Sequence, residues 1–265
     1  KYSMRELVEL GVAWVWMGLE SKQSGYQKLK GTDTVALTRE LQSHGIGVLG
    51  STIVGLEHHT PDNIVREIEN AVAHETDFHQ FMLYTPVPGT PLYQEMEAEG
   101  RLLPDVDLAD IHGQDHFNFA HAAIPREQSK SLLDWAFRLD YERNGPSVYR
   151  LARTMMEGWR RYRNDTDPRV RERARQGGRE LRDGYGIALY AMEKYLRRSN
   201  ADVAAKIREL RKDMERELGI FTRWVNRAAG PVLLWTSRRD ARKFPRGRQI
   251  EPITFLDRRN WPEPV

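Results

Sequence analysis

Three short apolar runs, spaced about 30 residues apart, constrain the fold of this chain more than any other feature. They read "VAWVWMGL" from Val12, "IGVLGSTIVG" from Ile46 and "FHQFMLY" from Phe78. Near-continuous apolar runs of this length are typical of strands that are covered on both faces of a parallel sheet. A spacing of about 30 residues is the length of one strand-helix unit. The sequence therefore predicts an α/β fold with three parallel βα units, as part of an α/β barrel or a doubly wound sheet.

Helix signals stand between the predicted strands. Ser3 and Glu6 form a Ser-x-x-Glu capping box that predicts a short helix before the first strand. A helical pattern after the first strand stops at Gly45, a residue type favoured just after a helix end. Thr60 is expected to cap the next helix, with Pro61 at its first position.

From about Arg126 the pattern becomes helical, which divides the chain into a predicted α/β region, 1–125, and a basic helical extension, 126–265. Four helices are expected there, over Ser129–Asn144, Pro146–Asn164, Pro168–Ser199 and Ala201–Leu218, followed by an extended tail from Phe244. Residues 1–120 hold 8 Lys and Arg against 18 Asp and Glu, whereas residues 121–265 hold 33 against 20. This asymmetry indicates that the two regions have different surroundings.

The composition excludes several classes of protein. With 40% hydrophobic residues in 265, the chain can bury a core. No apolar run approaches the roughly 18 residues of a membrane span, and no leader precedes the first helical pattern, so we expect a cytoplasmic protein or a fragment of one. The chain has no cysteine, which excludes disulfides, zinc-thiolate sites and iron–sulfur ligation by its own residues.

Candidate binding residues follow the predicted strands, because ligands of parallel α/β folds bind at the carboxyl ends of the strands. Glu20 and Ser21 follow the first strand and can hydrogen-bond a ribose or an amino group, or can cap a neighbouring helix. The segment "YTPVPGTPLY", from Tyr84, is either a rigid loop that exposes backbone groups or only a turn.

The histidines favour structural roles over metal binding. His58 and His59 are adjacent on a loop, where two rings do not generally point at one ion, and no third ligand has a telling spacing. His112, His116 and His121 lie in a segment that is expected to be irregular. We therefore expect no metal site in this chain.

No phosphate-binding glycine loop, nucleophile elbow or kinase signature is present. However, "WVWMGLESKQSGYQKLKG", "GVLGSTIVGLEHHTPDNI" and "FMLYTPVPGTPLYQEM" resemble, in order and spacing, the second half of a radical S-adenosylmethionine enzyme. The resemblance covers about residues 3–100. The continuation "LLDWAFRLDYERNGPSVYRLARTMMEGWRRY" resembles the helical extension of family members with an N-terminal cobalamin-binding domain, including those that act on hopanoid lipids.

The resemblance implies the C-terminal half of a partial (β/α)6 TIM-type barrel. It places the first three units, with the Cys-x-x-x-Cys-x-x-Cys loop for a [4Fe–4S] cluster, in a missing N-terminal half upstream of Lys1. The cofactors that it implies are S-adenosylmethionine, a cluster that this chain does not ligate, and cobalamin in a separate domain. The chain as given is then expected to be inactive alone.

The resemblance also assigns cofactor-binding residues in this chain. Glu20 and Ser21 match positions that contact the ribose or methionine moiety, Ile53 and Gly55 match the next strand end near the adenine, and Tyr84 and Thr85 match the strand end that also borders the adenine. Ser51, at the same strand end as Ile53, is also assigned to the cofactor site, although it replaces a glycine of the family pattern. A second departure is Glu57-His58-His59 in place of the usual Pro-Gly-Glu.

The reaction expected from the resemblance is radical or cobalamin-dependent methyl-transfer chemistry on a hydrophobic small molecule or lipid. An RNA-modifying radical enzyme is the first alternative, but such proteins usually end in a small β-barrel and residues 126–240 are predicted to be helical, which disfavours nucleic acid. The second alternative is a membrane-surface or partner-binding module in "LGIFTRWVNRAAGPVLLWTSRRDARK", which mixes aromatic residues with arginine. Gly230-Pro231 is expected to break this segment, and a buried helix-turn-helix hairpin is favoured.

Overall fold

The three predicted strands form one parallel sheet. In the computed structural model, which describes residues 2–19, 31–104 and 106–243, the strands are β1 (Trp14–Gly18), β2 (Gly47–Val54) and β3 (Phe78–Leu83). They lie in the order β1-β2-β3. The prediction of an α/β fold with three parallel βα units followed by helices is confirmed.

Helices follow each strand and predominate after residue 126. They are α1 (Met4–Glu9), α2 (Thr34–Ser43), α3 (Ile64–Val72), α4 (Pro91–Ala98), α5 (Arg126–Asn144), α6 (Ser147–Tyr162), α7 (Pro168–Glu180), α8 (Gly186–Leu196), α9 (Ala201–Glu217) and α10 (Ile220–Ala241), with a 3₁₀ turn at Leu108–Asp110 and a π-helical turn at Leu181–Tyr185. The helix predicted over Pro168–Ser199 is therefore divided by the π-helical turn into α7 and α8. The predicted extended tail from Phe244 lies outside the described residues.

The capping signals are confirmed for one helix and wrong for another. Before α1, the Ser3 Oγ accepts a hydrogen bond from the Glu6 N–H, and the Glu6 carboxylate accepts one from the Ser3 N–H at 2.7 Å. Thr60 does not cap α3, which begins four residues later at Ile64. The Asn63 Oδ1 instead accepts the Thr60 N–H at 2.9 Å, so residues 60–63 form a separate turn.

The expected break at Gly230-Pro231 is also wrong, and so is the buried hairpin, because α10 is one helix of 22 residues with Pro231 inside it. Pro231 is exposed on the outer side of the helix. Gly230 packs against α8, where a Cβ would lie 2.3 Å from the Tyr190 ring. The glycine therefore permits close helix packing here and does not form a turn.

Helices cover one face of the sheet. Val54, Phe81 and Leu83 point from this face into a core shared with α3 and α5. Met17 and Val48 point from the same face into a second core with residues of α1, α2, α6 and α7. A third core holds α6, α8 and α9 together. No helix in the described ranges is long and apolar enough to cross a membrane.

A buried carboxylate, Asp77, joins four elements at the amino end of the sheet. Its Oδ2 accepts the Val48 N–H at 2.8 Å and the Gln42 amide at 3.1 Å, and its Oδ1 accepts the Thr154 hydroxyl at 2.6 Å. Asp77 is fully buried, and burial raises its pKa even though these donors favour the ionised form. The start of β3 is thereby tied to α2, β2 and α6.

A second buried ionic contact fixes the corner between α5 and α6. Arg150 and Asp140 form a bidentate pair with distances of 3.0 and 2.8 Å. Arg150 also donates to the Thr76 carbonyl at 2.8 Å. Next to it, the Asn144 amide donates to the Val72 carbonyl at 2.8 Å. The helical region is therefore bound to the loop that precedes β3.

Replacing Asp77 with asparagine tests the four-element contact. An amide group places N–H atoms toward at least one of the three buried donors, so Asp77→Asn is expected to destabilise the protein by about 2–3 kcal/mol despite removing a buried charge. Urea denaturation measures this change, and the exposed Asp62→Asn serves as a control that is expected to be neutral. A neutral or stabilising Asp77→Asn would show that desolvation of the charge outweighs its hydrogen bonds.

Two helical glycines, Gly158 in α6 and Gly177 in α7, test how closely the helices pack. A Cβ on Gly158 would lie 2.7 Å from the Gly45 Cα, whereas a Cβ on Gly177 has its nearest neighbour at 4.0 Å. Because Gly158→Ala forces two backbones apart, we expect a loss of about 1–3 kcal/mol. Gly177→Ala should stabilise α7 by up to about 1 kcal/mol. Thermal melts that rank the two variants in the opposite order would contradict this packing.

Candidate functional site

The other face of the sheet carries the candidate site. Its side chains are Trp14, Trp16, Leu49, Ser51, Ile53, Phe78, Gln80 and Met82, together with Gly18 and Gly47, and we call it the open face. Trp16 is 67% exposed, Trp14 42% and Phe78 39%. None of its apolar residues belongs to a buried core of the described chain. An uncovered apolar face is unusual for a parallel sheet, which normally has both faces covered.

The strand register arranges the open face in rows across the sheet. Trp16, Leu49 and Phe78 form an apolar row, and Ile53 and Met82 form a second one nearer the carboxyl end. Between them lies a row of small or polar residues. This middle row consists of Gly18, Ser51 and Gln80.

The middle row has unused hydrogen-bonding groups. Within the described ranges, neither the Ser51 hydroxyl nor the Gln80 amide has a hydrogen-bond partner. A hydroxyl and an amide can donate and accept, so the pair suits the polar edge of a flat ligand. The rows on either side offer apolar contact to the faces of such a ligand. Ser51 and Ile53, two residues assigned from the resemblance, therefore lie next to each other on the same face, whereas Gln80 and the aromatic residues were not predicted.

The aromatic side chains are packed at the amino-end side of the open face. The Trp14 ring lies over Gly47, where a Cβ would be 2.7 Å from the ring, and its centroid is 5.4 Å from that of Phe78. Gly47 thus permits an aromatic surface that spans all three strands. Alternation of tryptophan in "WVWMG" could have indicated this face, but the intervening apolar residues make β1 read as a continuous run.

The turn after β2 uses Gly55 and His59 for local structure. Gly55 has φ of +83°, and a Cβ on it would lie 2.3 Å from the Phe117 ring. His59 Nδ1 accepts the N–H groups of Gly55 and Leu56, each at 3.0 Å. The Gly55 N–H, which the resemblance places near an adenine, is thus already bonded to His59.

The adjacent histidines do not form a metal site with other described residues. No group of three or more His, Asp or Glu side chains in the described ranges is arranged to hold an ion. Because His59 Nδ1 accepts two hydrogen bonds, the proton of the neutral ring is on Nε2. The Nε2 atoms of His58 and His59 are both buried and have no hydrogen-bond partner within these ranges.

His112 and His121 bind backbone groups. His121 Nε2 donates to the Leu56 carbonyl at 3.1 Å, and its Nδ1 accepts the Ile124 N–H at 3.0 Å. His112 Nδ1 accepts the Gln114 N–H at 3.2 Å. The segment that contains them is irregular, as predicted.

The end of β3 is occupied by local contacts. The Tyr84 N–H donates to the Val54 carbonyl at 2.8 Å, and the Thr85 hydroxyl donates to the Leu83 carbonyl at 2.9 Å. The Tyr84 ring packs edge-on against Phe119, with centroids 5.8 Å apart. These groups border the carboxyl end of the open face. The predicted residues Glu20 and Ser21 lie outside the described residues.

The two edges of the sheet differ. On the outer edge of β3, the Leu83 N–H donates to the Gly113 carbonyl at 2.8 Å, and the Gln114 amide donates to the Phe81 carbonyl at 2.8 Å. A loop therefore closes this edge. The outer edge of β1 has no strand partner among the described residues. Among the described residues, the outer edge of β1 is therefore the edge that is available to a further parallel strand.

Two cavities in the described chain are weaker candidates. One, of about 400 Å³, lies between α6, α7 and the amino ends of the strands. Several of its polar groups are already paired: His44 bonds the Tyr162 hydroxyl at 2.5 Å, and Arg173 donates to the Val12 carbonyl at 2.7 Å. The other, of about 330 Å³, lies beside α4 and the loop after it. The first is at the amino ends of the strands, whereas ligands of parallel sheets bind at the carboxyl ends, and no strand residue lines the second.

Comparisons with known proteins identify no relative. No family model, no curated protein and no solved structure matches the chain at a significant level. The resemblance to radical S-adenosylmethionine enzymes therefore stays a prediction that rests on three sequence segments.

The His59 hydrogen bonds predict a pH-dependent stability. Burial, with smaller effects of the neighbouring His58 and His121, lowers the pKa of His59 to about 4, whereas an unfolded histidine titrates near about 6.5. The folded state therefore binds fewer protons than the unfolded state between these values. The contribution of His59 to the free energy of unfolding is expected to fall by up to about 3 kcal/mol as the pH is lowered from about 6.5 to 4.

The variant His59→Asn retains an oxygen acceptor for the two N–H groups and has no ionisable ring. Urea denaturation at several pH values should show a smaller loss of stability in this variant than in the wild type. Burial also lowers the pKa of His79 to about 4, which leaves a residual pH dependence in both proteins. His116→Asn, at a partly exposed ring beside Asp115, is the control. Identical pH profiles for wild type and His59→Asn would contradict the expectation.

Proposed function

We propose that this chain forms one wall of the S-adenosylmethionine and substrate pocket of a radical S-adenosylmethionine enzyme. The observation that supports the proposal best is the open face. In the described ranges, helices cover one face of a parallel sheet, the apolar opposite face is uncovered, and the outer edge of β1 has no strand partner. Half of a strand barrel has these features before the other strands complete it. The interior of the barrel corresponds to the open face.

The open face has the chemistry to bind the adenosyl part of S-adenosylmethionine. Ile53 and Met82 provide apolar contact for the adenine ring faces, and the Ser51 hydroxyl and Gln80 amide lie one row away, where they can bond polar ring atoms. Ser51 replaces a glycine of the resembling family, so we assign it a hydrogen bond that the family pattern does not have.

The chain's own residues do not fit an iron–sulfur cluster, since it has no cysteine. We therefore assign the cluster ligands, and any cobalamin-binding domain, to parts of the protein outside this chain. When bound to a reduced cluster, S-adenosylmethionine supplies radical chemistry. The role of this chain is to orient the adenosyl group and to exclude water from it.

The substrate class that suits the open face is a hydrophobic small molecule or a lipid. Trp14, Trp16, Leu49 and Phe78 form an aromatic and aliphatic surface next to the middle row. Such a surface buries apolar ligand groups and offers few charged contacts. Since the proposed adenosyl site and this surface are adjacent rows of one face, a substrate bound here would lie beside the adenosyl group.

The variant Ile53→Asp tests the proposed site. It places a carboxylate in the apolar row that is assigned to the adenine, so we expect formation of 5′-deoxyadenosine to fall at least about tenfold. The assay uses the complete gene product that contains this chain, reconstituted anaerobically with iron and sulfide, with the product measured by mass spectrometry. Val65→Asp, at a position of α3 that is 43% exposed, is the matched control.

Two results would contradict the proposal. One is a complete, iron-loaded protein that forms no 5′-deoxyadenosine from S-adenosylmethionine. The other is an Ile53→Asp variant that is as active as Val65→Asp. The chain alone is expected to bind no cluster after reconstitution, and a stoichiometric cluster absorption band on it would show that the ligand assignment is wrong.

A further inference from the structure

Helix α10 packs against the rest of the protein through its small and polar residues. Thr222, Asn226 and Gly230 are buried, and they lie on one side of the helix. A Cβ on Gly186 of α8 would lie 2.4 Å from the Asn226 side chain, and a Cβ on Gly230 would lie 2.3 Å from the Tyr190 ring. The two glycines therefore set a close approach of α8 and α10, which fixes the rotation of α10 about its axis.

Polar contacts at this interface also fix the rotation of α10 about its axis. The Asn226 amide donates to the Glu215 carboxylate of α9 at 3.2 Å. Arg211 of α9 bonds both Glu215 and Glu193 of α8. Burial alone would raise the pKa of Glu193, but hydrogen bonds from Lys194 and Arg211 lower it, so it stays ionised in the network. Three helices are thus joined beneath α10.

Five large apolar residues of α10 point away from this interface. Ile220, Phe221, Trp224, Val232 and Trp235 are 69%, 61%, 67%, 61% and 61% exposed. At 100° per residue they fall within about 120° of the helix circumference, opposite Asn226. We call this surface the outer stripe. A soluble helix normally shows the reverse pattern, with its apolar residues facing the core.

Basic residues border the outer stripe. Residues 220–243 contain six Lys and Arg and one acidic residue, Asp240. Arg227 and Arg238 flank one side, and Arg239 lies over the Trp235 ring at 5.1 Å. Asp240 is on the packed side of the helix and pairs with Arg239 and Lys243. A ligand of the outer stripe therefore meets apolar groups at the centre and positive charge at the rim.

We propose that the outer stripe docks the protein on an anionic membrane surface, with α10 parallel to the bilayer plane. A helix of 22 residues is about 33 Å long, and its convex apolar side can enter the boundary between headgroups and acyl chains. Tryptophan suits this boundary because its ring is apolar and its N–H reaches water, and arginine side chains reach anionic headgroups from the rim. This role does not depend on the proposed radical chemistry, since no residue of the outer stripe belongs to the sheet.

The double variant Trp224→Ala with Trp235→Ala tests the apolar contribution. The chain is mixed with phosphatidylcholine vesicles that contain or lack phosphatidylglycerol, and binding is measured by co-sedimentation at low salt. We expect the wild type to bind the phosphatidylglycerol vesicles and the double variant to bind them at least about tenfold more weakly. Tyr2→Ala with Leu10→Ala is the matched control, since these residues beside α1 are 69% and 64% exposed, and Trp16→Ala separately tests the open face.

A charge-reversal pair tests the rim. Arg238→Glu with Arg239→Glu should weaken binding to phosphatidylglycerol vesicles at least about tenfold, because two attractive charges become repulsive. Arg197→Glu with Arg198→Glu makes the same change at two exposed positions after α8 and is expected to bind nearly as the wild type. Circular dichroism checks that each variant keeps its helix content.

Several outcomes would overturn the inference. If the wild-type chain sediments equally with vesicles that contain and that lack phosphatidylglycerol, positive charge does not contribute to binding. If Trp16→Ala weakens vesicle binding as much as the double variant does, the contact surface is the open face. Self-association through the outer stripe without vesicle binding would identify a second copy as the occupant. None of these outcomes affects the 5′-deoxyadenosine assay, which probes the sheet.

Discussion

The buried carboxylate of Asp77 determines how the rest of the molecule is arranged around the sheet. It accepts hydrogen bonds from α2, β2 and α6 at the point where β3 begins. With Arg150 and Asp140 beside it, it anchors the helical region to the amino ends of the strands. The described helices therefore lie on one face and at one end of the sheet, and no described helix covers the opposite face.

The open face and the loops at its carboxyl end have different roles. On the face, Ser51 and Gln80 lie between two apolar rows and have no hydrogen-bond partner within the described part of the chain. In the loops, Gly55, His59 and Thr85 use their polar groups to stabilise the backbone. A ligand at this site would therefore be recognised mainly by the strands, which are rigid, and enclosed by loops whose conformation is already set.

The sequence predicted the elements better than it predicted their surfaces. The three strands could be predicted because apolar runs and glycine or proline signals act locally, within one βα unit. The open face could not, because Val15 lies between Trp14 and Trp16 and Met17 follows them, and a strand with both faces apolar reads like a buried one. The role of Gln80 depends on register with Ser51, which no local pattern contains.

Two wrong predictions relied on intrinsic preferences that the surrounding structure does not follow. Thr60 is a good helix cap, but residues 60–63 form a turn of their own, in which the Asn63 side chain accepts the Thr60 N–H, and α3 begins at Ile64. Gly230 and Pro231 are strong helix breakers, but close packing against Tyr190 holds the backbone helical. Glu20 and Ser21 could be assigned only by resemblance, because a carboxylate and a hydroxyl after a strand fit several roles equally well.

Different residues of α10 determine how the helix is held and what its outer side can bind. Its position is determined by backbone proximity at Gly186 and Gly230 and by the amide of Asn226, none of which reaches the surface. Substitutions among the outward residues therefore change what the surface attracts while the fold beneath stays the same. Such a helix can diverge rapidly in its binding preference during evolution, whereas its small inward residues tolerate almost no change.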